Sequence, residues 1–160
     1  MDDWTEFWGK YRTIILQVIV ALLAGGLASL LGGDTASLYE RLVSPPSAPP
    51  GWVFPVVWTV LYVLMGVTAG LVAGSRDIHR DKALTRYYIQ LSVNVLWPML
   101  FFRFRLMTVA AVWLALLVVA VYVTRQWFRR ISAPAGRLLI PYLLWCLFAL
   151  YLNIGFVVLN

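Results

Sequence analysis

The residues of this 160-residue chain that could do chemistry are tryptophans, amides and phenols set at helical spacing. Gln90 and Asn94 stand four apart with Trp97 three further on, so one helix face carries all three. Trp145, Ala149 and Asn153 share a face near the C-terminus, and Trp58 and Tyr62 lie one turn apart. An amide facing lipid would be left unsatisfied, so these faces must point inward. There they serve as interhelical glue, or they line an apolar pocket with a few orienting polar groups, which suits a flat hydrophobic ligand. Other chemistries lack their residues. The single Cys146 excludes a disulfide framework or a Cys-based cluster, and the single His79 excludes a multi-histidine metal site. No nucleophile–base pair lies within the apolar runs, so hydrolysis has no machinery.

Composition indicates what holds these faces. Hydrophobic residues make up 62 % and charged residues 12 %, against roughly 45–50 % and about 25 % in soluble domains. One small domain cannot bury that much apolar surface, so lipid covers part of it. Five apolar runs are long enough to cross a bilayer: 13–31, 52–74, 84–102, 107–124 and 138–159. They are continuous rather than alternating, which predicts an all-α bundle of five transmembrane helices forming one domain over residues 1–160. None of the runs contains a carboxylate, which argues against pumps and ion-driven carriers. The net charge of +6 sits between the runs, apart from Arg86 at the start of the third, as topology requires, rather than on a soluble face for nucleic acid. Ten of the 13 Lys and Arg fall in the N-terminal tail, in the second and fourth loops, and at Arg86 in the first turn after the second loop. In an inner membrane that bias places the N-terminus in the cytoplasm. Asp2, Asp3 and Glu6 give the tail the wrong charge for a cleaved signal peptide. Trp4, Phe7, Trp8 and Tyr11 form an aromatic stripe, expected on a helix that lies in the headgroup belt before turning down.

Residues 32–51 form the odd loop, since half of the eight prolines (Pro45, Pro46, Pro49 and Pro50) stand in it. Such a run takes a stiff, extended path, either as a rigid connector or as a lid. Leu38, Tyr39 and Leu42 predict a short helix before it. Pro98 predicts a kink in the third helix, whereas Pro55 and Pro141 fall in first turns, where a missing donor costs little. Gly66, Gly70 and Gly74 form one small-residue ridge, and Ala21, Gly25 and Ser29 form another. The first continues the line of Trp58 and Tyr62 and is expected inside the bundle. That leaves the second ridge for a partner in a homodimer.

Together these residues resemble the translocator protein family, also called the tryptophan-rich sensory proteins. Tyr39, Leu42, Pro45, Pro49, Pro50 and Trp52 fit its first-loop pattern, and Trp58, Tyr62, Met65 and Gly66 its second helix. The match continues through Asn94-x-x-Trp97-Pro98, Phe101-Phe102, Arg105 and Met107. It ends in Arg137-Leu138-Leu139 and Pro141-Tyr142-x-x-Trp145-x-x-Phe148-Ala149-x-x-Leu152-Asn153. The likeness spans residues 38–153. Leu38, Ser44 and Ser47 replace the family's loop Trp, Lys and second loop Trp, and no Lys or Arg follows Tyr151 to complete a sterol pattern.

The resemblance implies a homodimeric membrane protein whose cavity opens under the first loop. It implies binding of porphyrins, notably protoporphyrin IX, and of isoquinoline or benzodiazepine-type ligands. His79 in a charged loop and Cys146 within an apolar run do not share an axial position, so the porphyrin is expected as a ligand without iron ligation by the protein, with no resident cofactor or metal. By position, Trp58, Trp97, Trp145, Ala149 and Leu152 would line the cavity, with Pro49 and Pro50 beneath the lid; Tyr62, Asn94 and Asn153, placed inward by their own spacing, are the expected polar groups. Three functions are compatible with it. One is a tetrapyrrole-binding sensor or regulator. Another is light-dependent porphyrin degradation through Trp58 and Trp145, and the third is a passive carrier of lipophilic molecules.

Overall fold

The computed structural model describes residues 3–160, leaving the side chains of residues 3, 5–7 and 10 outside the described set. All regular structure among the described residues is helical. In chain order the helices are α1 (Asp3–Gly32), α2 (Thr35–Arg41), α3 (Val53–Ala73), α4 (Arg80–Pro98), α5 (Met107–Ile131), α6 (Ala133–Leu138) and α7 (Ile140–Leu159). Four stretches are long and apolar enough to cross a membrane: Tyr11–Gly32, Val53–Ala73, Met107–Ile131 and Ala133–Leu159. The run expected at 84–102 is helical but falls outside that set. It carries Arg86 in its first turns and buries Gln90 and Asn94, so it is the least apolar of the long helices.

Pro98 ends α4, as its missing N–H requires, and the chain passes into a π-helical turn, Met99–Arg103, closed by Phe104 N–H donating to Met99 O at 3.0 Å. Pro141 sits in the first turn of α7, and Pro134 in that of α6. The fourth expected run, 107–124, continues as helix to Ile131, because Arg and Gln are good helix formers outside the lipid. It stops at Ser132, whose hydroxyl caps α6 by accepting from Ala135 N–H.

Two expectations are overturned. The N-terminal aromatic stripe does not lie on a separate helix that turns down, because α1 runs unbroken from Asp3 to Gly32. Between Trp4 and Thr13 the sequence offers no proline to break it, and Trp4, Trp8 and Tyr11 are exposed along it; the Phe7 side chain lies outside the described residues. Nor is the Ala21–Gly25 ridge free for a second protomer. Ala21 and Ala28 are fully or almost fully buried, and a Cβ on Gly25 would stand only 2.5 Å from the ring of Tyr62. Ser29 alone of that ridge is exposed.

Both small-residue ridges meet in one seam between α1 and α3. Positions 14, 18, 21, 25, 28 and 32 alternate steps of four and three, the period that keeps one helix face against another. Gly66 lies over Val18, where a Cβ would come within 2.4 Å of its Cα, and Gly70 lies over Ile14 in the same way. Without side chains on α3 the two backbones touch, and close packing supplies the attraction that lipid cannot.

Candidate functional site

Three elements of the bundle and the first loop converge on one end of the molecule. α3 brings Phe54, α4 with its π-helical turn brings Trp97, Phe101 and Phe102, and α7 brings Ala149, Leu152, Asn153 and Phe156. Tyr39 of α2 closes the ring. The space they enclose is small, about 20 Å³.

The wall is built from aromatic pairs, edge-to-face except for the tilted pair of Phe101 and Trp97. Trp145 meets Phe54 at 6.0 Å between ring centres, Phe54 meets Tyr39 at 5.0 Å, and Tyr39 meets Phe156 at 5.7 Å. Phe156 meets Phe101 at 5.7 Å, and Phe101 meets Trp97 at 5.6 Å. Such pairs contribute about 0.5–1.5 kcal/mol each beyond their burial, so the wall holds a defined shape. Its polar groups are largely satisfied by the protein. Trp97 Nε1 donates to Asn153 Oδ1 at 3.1 Å, and Asn153 Nδ2 donates to Met107 O at 2.9 Å. The exception is Trp145, whose buried Nε1 has no acceptor among the described residues.

Beside this cavity lies a polar layer centred on Tyr142. Tyr62 OH donates to Asn94 Oδ1 at 2.5 Å, and Asn94 Nδ2 donates to Tyr142 OH at 2.8 Å. Tyr142 OH then donates to Gln90 Oε1 at 2.7 Å, and Gln90 Nε2 reaches Met65 Sδ at 3.8 Å. The chain ties α3, α4 and α7 together with every amide in use. Trp58 packs over it, 5.9 Å from Tyr62 and 6.4 Å from Tyr142. Gly25 lets the Tyr62 ring lie against α1 while reaching Asn94.

The structure therefore sorts the expected residues into two groups. Trp97, Ala149, Leu152 and Asn153 face one cavity, and Trp145 joins it through Phe54. Trp58, Tyr62 and Asn94 belong to the adjoining layer, where Tyr62 and Asn94 act as interhelical glue. The sequence reading omitted Tyr39, Phe54, Phe101, Phe102 and Phe156 from the wall. The signal was present for two of these. Phe54 precedes Trp58 by four residues, and Phe156 continues the Trp145–Ala149–Leu152 face by four more.

The proline-rich segment lies across the open end, held at several points. Asp34 caps α2 by accepting from Ser37 N–H, and the Ser37 side chain together with that N–H holds its carboxyl below the usual range. Tyr39 OH donates to Pro49 O at 2.6 Å, and burial raises that phenol above its ordinary value, keeping it a donor. Pro50 O accepts the N–H of Val53 at the head of α3. Tyr151 OH donates to Pro46 O at 2.9 Å. Pro45 is buried over Gly155, where a Cβ would approach its ring to 2.5 Å. Asn160 pairs with the backbone of Val43 twice, accepting from its N–H at 2.9 Å and donating to its carbonyl at 3.0 Å.

Residues 15–159 match the TspO/MBR family. The chain belongs to that family. Over 151 residues it is 35 % identical to the tryptophan-rich protein TspO of Chlorobaculum tepidum, covering 92 % of this chain and 96 % of that one. It is 37 % identical over 122 residues to the tryptophan-rich sensory protein of Cereibacter sphaeroides, with 76 % of each chain covered. It is 38 % identical over 124 residues to the human translocator protein, covering 76 % of this chain and 73 % of that one. With four apolar helices of spanning length, this TspO/MBR protein is an integral, multi-pass membrane protein. Among the described residues no three His, Cys, Asp or Glu side chains gather to hold a metal.

Proposed function

We propose that this TspO/MBR protein binds a flat, largely apolar tetrapyrrole such as protoporphyrin IX and acts as a sensor or regulator of it. The observation that carries the reading is the aromatic cavity over α7, with Trp97, Ala149, Leu152 and Phe156 on its wall. Polar groups there are few and mutually satisfied, which suits a ligand whose faces are apolar. The buried Trp145 N–H, which has no protein acceptor, supplies one donor for a polar substituent at the ligand's edge.

A space of about 20 Å³ holds no such ligand, since sites for drug-sized molecules run to roughly 300–1,000 Å³. The proline-rich loop is therefore a lid, and binding begins with its release. In this reading α4 with its π-helical turn is the fifth span, and the basic loops face the cytoplasm. Dark titration of the detergent-solubilised protein with protoporphyrin IX is expected to quench tryptophan fluorescence saturably. Asn160→Ala removes both clasps on Val43. Hydrogen bonds of this kind contribute about 0.5–1.5 kcal/mol each, so ligand association is expected to quicken by about fivefold or more. An unchanged association rate would show that the loop does not gate the cavity.

A further inference from the structure

Three turns along α4 from the cavity, at the other end of the bundle, two guanidinium groups gather on one indole ring. The Arg86 guanidinium lies over Trp127 with its carbon 4.0 Å from the ring centre, and that of Arg130 lies 5.8 Å away. The His79 ring meets the same indole edge-on at 6.1 Å. Among the described residues neither Arg86 nor Arg130 has a carboxylate within ion-pair distance, and nearby Asp81 pairs with Arg80. Two like charges held at one ring without a counter-charge repel one another, so the arrangement favours a bound anion beside them.

The donors available also suit an anion. Stacking uses the flat face of the Arg86 guanidinium and leaves its edge free. One edge N–H donates to Lys82 O at 2.8 Å, and the remaining edge donors form the planar fork that matches phosphate oxygens. Arg130 is exposed and adds a second fork. Below the cluster, α5 presents an outward apolar stripe at positions 112, 116, 119 and 123, with exposures of 61 %, 57 %, 60 % and 38 %. The same face leads through Trp127 to Arg130. A phosphate seated at the arginines thus has an apolar track for acyl chains directly beneath it, which a free anion in water would not use.

We propose that Arg86, Trp127 and Arg130 form a headgroup site for an anionic phospholipid in the leaflet that borders the basic loops. The site is independent of the porphyrin cavity and lies at the opposite end of α4.

Native mass spectrometry of the full chain in mild detergent tests it, with phosphatidylglycerol and phosphatidylcholine of identical acyl chains as probes. Phosphatidylglycerol is expected to bind more tightly. Arg130→Gln changes an exposed side chain and leaves the fold alone. An interfacial arginine contributes about 1 kcal/mol towards an anionic headgroup, so phosphatidylglycerol affinity should fall about fivefold while phosphatidylcholine is unaffected. Arg86→Gln with Arg130→Gln should abolish the preference, and Arg103→Gln, beyond the far end of α4, should preserve it. Retention of the preference in the double variant would overturn the proposal, as would an equal loss in Arg103→Gln. Displacement of phosphatidylglycerol by millimolar inorganic phosphate would also overturn it, because the site would then be one for free anion.

Discussion

Gly66→Ala should lower the stability of the protein by about 3 kcal/mol, the upper part of the range for inserting a methyl group into closed packing. The added carbon would meet Val18 Cα at 2.4 Å, Val18 N at 2.7 Å and Gln17 O at 2.9 Å. All three are backbone atoms, so no side-chain rotation relieves the overlap and the helices must part. Parting α1 from α3 also withdraws α1 from Tyr62, because Gly25 lies on the same seam. Gly26→Ala, one residue from Gly25 on the lipid-facing side, meets nothing within 4 Å and should be neutral. Unfolding of the purified variants by denaturing detergent, followed by far-UV circular dichroism, checks both. Equal midpoints for Gly66→Ala and the wild type would mean that the seam is looser than described.

Tyr142→Phe should cost about 2 kcal/mol. Loss of the hydroxyl orphans two buried groups together, Gln90 Oε1 and Asn94 Nδ2, and a single orphaned polar group typically costs about 1–3 kcal/mol. Single interhelical hydrogen bonds in membranes average only about 0.6 kcal/mol, because partners can be exchanged. The Tyr142 layer departs from that average because one hydroxyl of α7 serves two buried amides of α4 at once. Tyr122→Phe, on the exposed face of α5, gives the baseline. The same unfolding assay distinguishes them. A Tyr142→Phe variant as stable as Tyr122→Phe would show that the two amides find other partners.

Helical periodicity made much of this architecture legible in the sequence. The spacing of Gln90, Asn94 and Trp97 put them on one inward face, and the structure buries all three. Period alone does not say which neighbour each residue meets. Asn94 and Asn153 looked equivalent as inward amides, yet Asn94 bonds to two phenols and Asn153 to an indole and a backbone carbonyl. The Gly25 ridge is hidden for a related reason. Spacing makes the two small-residue ridges look like rivals for the interior, whereas they are the two sides of one contact. Phe101 and Phe102 fit the family pattern, but spacing does not place them on the wall, because the π-helical turn after Pro98 resets the helical phase. Arg86 and Trp127 stand 41 positions apart on different helices, so their stacking is visible only in the fold.

The central claim, that a tetrapyrrole occupies the aromatic cavity, is tested most directly by the dissociation constant of protoporphyrin IX for Trp97→Ala beside Trp127→Ala, measured in the dark. Trp97 is on the cavity wall and Trp127 is at the opposite end of the bundle. Truncating a desolvated aromatic anchor costs about 2 kcal/mol or more, equivalent to roughly thirtyfold in affinity. The expected result is a loss of that size for Trp97→Ala and wild-type affinity for Trp127→Ala. Wild-type affinity in a folded Trp97→Ala variant, or an equal loss in both, would contradict the assignment of the cavity as the porphyrin site.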